Sequence, residues 1–258
     1  MKLEVETAWK YVDSALSVPA SRENWKTYQR IGRLCEQHGQ WQRALRTYDA
    51  LARVYPTWEQ NLQSRAVVLL QLDRPDDAVA ALNAAIQAKP GAESSHAALG
   101  LLHYARGELE LADRELAKVQ THASRLLATA VQALIARRLG RPFDAVRARL
   151  NAMAGQGPEP LAFATLGRYL LGDIERKECQ RILTGLNKKQ QLRSGISAQL
   201  RFVDAMDKLA RDAKSGVSLM TRAGQDLGSD SFIKAIATWM AKKAARAGDD
   251  TGGGAPGG

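Results

Sequence analysis

The segment HGQWQRALRTYDALARVYP, residues 38–56, decides the fold, because its shape returns twice. LDRPDDAVAALNAAIQAKP follows thirty-four residues later at 72–90, and RGELELADRELAKVQTHAS follows at 106–124. Few letters are shared, yet size and polarity line up. Gly32, Ala66 and Gly100 superimpose, as do Ala44, Ala78 and Ala112, then Tyr48, Leu82 and Leu116. A fixed period with one size class at each position marks a stacked repeat. Small residues there predict two helices crossing closely, since a bulky side chain would force the axes beyond ~8–10 Å.

Turn chemistry divides each unit into two helices. HGQ at 38–40 and RGE at 106–108 supply a glycine stop. In the second unit Pro75 suits the first turn of a helix, and Asp76 and Asp77 complement its dipole. Alanine, leucine, arginine and glutamine dominate while β-branched and aromatic residues are sparse, so the chain is predicted to be all-α. The start carries no apolar run of signal-peptide or membrane-spanning length, which predicts a cytoplasmic protein. Cys35 and Cys179 lack any spacing motif and are read as reduced core thiols. Composition points to a bacterial source.

These marks resemble the tetratricopeptide repeat. In residues 25–58 they fall on Tyr28, Ile31, Gly32, Cys35, Gly39, Trp41, Ala44, Tyr48, Leu51 and Pro56. The resemblance weakens at the start of 59–92, where Arg65 stands in a leucine position, and returns in 93–126 with Leu99, Gly100, Gly107, Leu109, Ala112 and Leu116. It implies a right-handed superhelical solenoid of antiparallel helix pairs. The expected organisation is an N-terminal capping helix in 1–24, three units in 25–126, two degenerate units in 127–187, C-terminal capping helices in 188–247 and a disordered glycine-rich tail in 248–258. The fourth unit places Ala133 and Ala145 at small-residue positions and Arg149 at an aromatic one.

The resemblance also implies a concave face lined by the first helix of each unit. In its register that face carries Arg33, then Val67 and Leu70, then Leu101 and Tyr104, then Leu134, Arg137 and Arg138, and finally Arg168. An exposed apolar stripe flanked by arginines predicts a protein partner with apolar anchors and acidic ends, held within a larger assembly. The competing expectation is that C-terminal helices fold back over the stripe and make it core. A clamp for chaperone tails is rejected, because of Gln29, Arg33, Ser64, Ser94 and Ala98 only Arg33 could serve.

Charge supplies the alternative function. Of the net +10, residues 1–126 contribute +1, residues 127–247 contribute +11 and the tail contributes −2. Arg137, Arg138, Arg141, Arg147, Arg149, Arg176, Lys177, Arg181, Lys188, Lys189 and Arg193 would be the phosphate contacts of a nucleic-acid-binding protein. Few aromatics accompany them, which favours an acidic protein partner instead. No nucleophile elbow, phosphate loop, HExxH or CxxC motif is present, so no enzyme, metal site or cofactor is expected. His96 and His103 are read as core or boundary residues rather than ligands.

Overall fold

The helix-forming composition yields helices throughout. A computed structural model describes residues 2–120, 122–227 and 232–250, which form fourteen helices and no strand. The chain divides into two compact units, residues 1–95 and 96–258, with the division inside α6. Residues 251–258 of the predicted glycine-rich tail lie outside the described residues, and the last helix runs to Asp250, past the predicted start of that tail at 248.

The first unit holds α1 (Lys2–Ser17), α2 (Trp25–Gln37), α3 (Trp41–Val54), α4 (Glu59–Gln71) and α5 (Pro75–Ala88). Arg43 of α3 holds Asp13 of α1 in a bidentate pair at 2.9 and 2.8 Å and lies over the Trp9 ring, which fixes α1 on the first helix pair. Gly39 turns the α2–α3 corner at φ +67°. Thirty-four residues on, Asp73 makes the corresponding α4–α5 turn at φ +59°, a left-handed conformation that aspartate tolerates better than most side chains. Pro75 occupies the first turn of α5 with Asp76 and Asp77 behind it, as the spacing predicts. Arg65, which departs from the leucine pattern, projects from α4 to Asp49 of α3 at 2.6 Å. An ion pair thus stands where the pattern expects an apolar contact.

The α6 helix (Glu93–Arg106) leads into the second unit, followed by α7 (Leu109–Ala117), α8 (His122–Leu139), α9 (Asp144–Ala154), α10 (Pro158–Leu171) and α11 (Arg176–Lys188). The expected fourth-unit register is off by one residue. Ala145 and Arg149 are exposed, while Val146 and Leu150 are buried. Those two lie thirty-four residues beyond Ala112 and Leu116, so the second helix of this unit keeps the period and Arg149 stays out of the core.

Close approach is strict where the repeat places glycine. A β-carbon on Gly32 would sit 2.7 Å from the Tyr48 ring, and one on Gly100 would sit 2.7 Å from Leu116 Cγ. Gly167 of α10 meets Leu150 of α9 at 2.5 Å by the same measure.

Three further helices close the second unit: α12 (Ser194–Arg211), α13 (Ala213–Asp226) and α14 (Phe232–Asp250). The apolar stripe Leu200, Phe202, Val203 and Met206 is buried, and α12 packs on α8, α10, α13 and α14. Gly216 of α13 would bring a β-carbon to 2.3 Å from Leu209 Cα of α12, so these two backbones touch. The key polar contact is Asp207 of α12, only 3% exposed, which accepts hydrogen bonds from Arg137 of α8 and, at 3.1 Å, from Arg211. Arg137 also donates to the Leu170 carbonyl at the end of α10, at 2.8 Å. One guanidinium therefore links α8, α10 and α12.

Two predictions follow from this packing. Gly216→Ala costs about 1–3 kcal/mol by overpacking. The same change at Gly185, inside α11 with no atom within 4 Å of the added methyl, gains up to ~1 kcal/mol from helix propensity; urea denaturation of the two variants reads the opposite signs. Asp207→Ala leaves Arg137 without its acidic partner and costs about 3–5 kcal/mol. Joining it to Arg137→Met restores much of the loss in the same assay.

Candidate functional site

The first unit carries a candidate site that begins with loop chemistry. Asn24 accepts from the Ser21 amide at 2.7 Å and donates to the Pro19 carbonyl at 3.0 Å, folding the approach to α2 so that Trp25 opens that helix. Tyr55 ends α3, and Trp58 precedes α4 across a turn closed by the Trp58 amide on the Tyr55 carbonyl at 3.2 Å. The three rings converge edge to face. Centroids are 5.2 Å apart for Trp25–Trp58, 6.0 Å for Tyr55–Trp58 and 6.3 Å for Trp25–Tyr55, with interplanar angles of 77–88°. This is the geometry the ring quadrupoles favour.

A pocket of about 520 Å3 opens against these rings and is completed by Gln29, Thr57 and Gln60. It presents aromatic surface beside two primary amides, and among the described residues no carboxylate lines it. Lys26, Arg30 and Arg33 stand exposed at i, i+4 and i+7 along α2, on one side of the helix that supplies Trp25 and Gln29. The Lys26 ammonium lies 5.7 Å from the Trp25 ring centroid. Concave shape, aromatic walls, a few hydrogen-bonding groups and an adjacent basic face are what a peptide-binding pocket requires.

The residues singled out from the sequence fall differently. Arg33 is exposed and Val67 half-buried, both in the first unit. The expected exposed apolar stripe is corrected at four positions: Leu70, Leu101, Tyr104 and Leu134 are each at most 2% exposed. In the second unit the reason is plain. Helix α12 lies against α8 and α10, the competing arrangement weighed from the sequence, and Leu134 becomes core. Arg137 is engaged by Asp207 and Leu170, so it serves the protein's own packing. Tyr104 and Arg138 are brought together, the guanidinium 5.4 Å from the ring centroid. Arg168 is exposed on α10.

The basic half is less bare than its formal charge implies. Arg141 faces Asp113, Arg147 faces Asp173 in a bidentate pair, Arg176 faces Asp204, Arg181 faces Glu178 and Arg193 faces Glu159. Arginines so engaged offer less to a phosphate backbone. Two buried histidines each meet a glutamate: His96 Nδ1 lies 2.6 Å from Glu115 Oε2, and His103 faces Glu108. Burial would raise the Glu115 carboxyl, but hydrogen bonds from Lys118 and His96 outweigh it and hold the group below its usual range. Cys35 and Cys179 are buried free thiols, and burial pushes both up to about 11, which leaves them protonated at neutral pH. Among the described residues no three His, Cys, Asp or Glu side chains converge as a metal site, and no helix is long and apolar enough to cross a membrane.

The aromatic cluster was missed by sequence reasoning. Its available signal was the recurrence of tryptophan at Trp25 and Trp58, the first and last residues of one repeat.

The sequence matches no protein-family model and no curated protein. Among solved structures, a tetratricopeptide repeat protein from Parabacteroides merdae ATCC 43184 aligns over 93% of this chain and 93% of its own, with a TM-score of 0.58 at 15% identity. Likeness at that identity speaks to fold alone, and it agrees with the thirty-four-residue period and the all-helical architecture. The chain has a tetratricopeptide-repeat-like fold.

Proposed function

We propose that the protein is a non-enzymatic adaptor that binds a segment of a partner protein and holds it within a larger assembly. The observation that carries this reading is the Trp25–Tyr55–Trp58 pocket with the basic face of α2 beside it. Half-exposed aromatic rings that form a pocket are costly to leave in water and act as binding anchors in many interfaces. Gln29 and Gln60 can donate to and accept from a peptide backbone, which suits an extended segment. A proline or aliphatic side chain fits the aromatic walls, and acidic residues beside it meet Lys26, Arg30 and Arg33. The partner is thus the acidic-flanked apolar segment expected from the sequence, anchored on the aromatic corner of the first unit instead of on the aliphatic stripe.

A displayed random-peptide library selected against the full chain tests this. The expected consensus is an apolar or proline anchor next to Asp or Glu. Trp58→Ser weakens a selected peptide at least tenfold, with the helical circular dichroism unchanged. A consensus without an apolar anchor, or equal binding by Trp25→Ser and Trp58→Ser, overturns the assignment of this pocket.

A further inference from the structure

A second cleft, wholly inside the second unit, is chemically distinct from the aromatic pocket. It encloses about 290 Å3 between the end of α6, Arg138 of α8, and the facing sides of α12 and α14. Met206, Leu209 and Met240 supply an apolar lining. Arg106, Arg138 and Lys243 add three cations, and among the described residues no carboxylate lines the cleft. We propose that this cleft binds a small amphipathic anion, a carboxylate or phosphate head on a short apolar body.

Three observations converge on that chemistry. First, two of the cations are held by aromatic faces. Arg138 stacks 5.4 Å from the Tyr104 centroid, and Lys243 lies 5.0 Å from that of Trp239. Among the described residues neither has a carboxylate within ion-pair distance, so their charge stays available at the cleft, whereas Arg106 is shared with Glu108 at 2.8 Å. A cation on a ring face is positioned but not neutralised. Second, Tyr104 lines the cleft, and its buried hydroxyl makes no well-formed hydrogen bond in the described structure, with the Arg138 guanidinium as its polar neighbour. A buried polar group in that state costs free energy that a ligand oxygen can relieve. Third, the volume lies at the small end of ligand pockets, which run about 300–1,000 Å3. That size suits a medium-chain acid better than a long lipid or a peptide helix. The thioethers of Met206 and Met240 adapt to an alkyl chain of variable shape.

Isothermal titration calorimetry on the full chain, with octanoate as the probe below its micelle concentration, tests the proposal. Octyl phosphate and octanol are the companion arms. Octanoate or octyl phosphate binds saturably at one per chain, the tighter of the two naming the head group, while octanol binds at least tenfold more weakly. Affinity falls about tenfold in Arg138→Gln and in Lys243→Gln, and it falls with added salt. Tyr104→Phe weakens binding with the fold retained, and Ala210→Trp, at an exposed position on the cleft wall, blocks it. No saturable heat from either anion, octanol binding as tightly as the anions, or unchanged affinity in both charge variants overturns the site. These outcomes are independent of the peptide selection, because Trp58→Ser leaves octanoate binding unaltered.

Discussion

At four helix crossings in this protein the backbones approach so closely that a β-carbon has no room. At Gly32, Gly100, Gly167 and Gly216 the missing methyl would stand 2.3–2.7 Å from atoms of the facing helix. Interiors packed to crystal density cannot absorb such an overlap without moving an axis. Much of the packing follows from this constraint. The turns at Gly39, Asp73 and Gly107 are short because consecutive helices must lie side by side. Tyr48, Leu116 and Leu150 are large because each fills the space above a glycine.

Stacked pairs leave an apolar surface wherever the repetition stops. In the second unit that surface is met by α12, whose Phe202, Val203 and Met206 continue the core. Burying Asp207 beside them would be unfavourable alone, since an unpaired carboxylate loses its hydration. Arg137 and Arg211 supply the compensating charge and donors, and Arg137 at the same time satisfies a carbonyl at the end of α10. The C-terminal helices thus complete the fold, and they also form two walls of the cleft that carries Lys243.

Exposure of the apolar side chains is distributed accordingly. The aliphatic residues of the repeat register are consumed as core in the second unit, while the aromatic residues at a helix–turn–helix corner of the first remain half-exposed. Trp25 opens α2 while Tyr55 and Trp58 stand at the two ends of the α3–α4 turn, and their edge-to-face triangle depends on how α2 packs against that turn. No periodicity encodes that distance. Arg65 is a parallel case: a departure from the repeat in one dimension is an ion pair with Asp49 in three.

Local rules were written into the chain. Helical composition, the thirty-four-residue recurrence of small and large positions, glycine stops, and Pro75 with its trailing aspartates are short-range or periodic signals that survive in one dimension, because each follows from backbone geometry or from contacts between chain neighbours. Even the register of the fourth unit was present in the spacing, at Val146 and Leu150, and was obscured by the neighbouring Ala145. Tertiary structure alone decided which apolar faces meet water. Leu134 and Tyr104 carry the same pattern whether they line an open groove or a closed core, and only the docking of distant helices distinguishes the two. Exposure is a property of neighbours far away along the chain, and a residue's own type and spacing do not contain it.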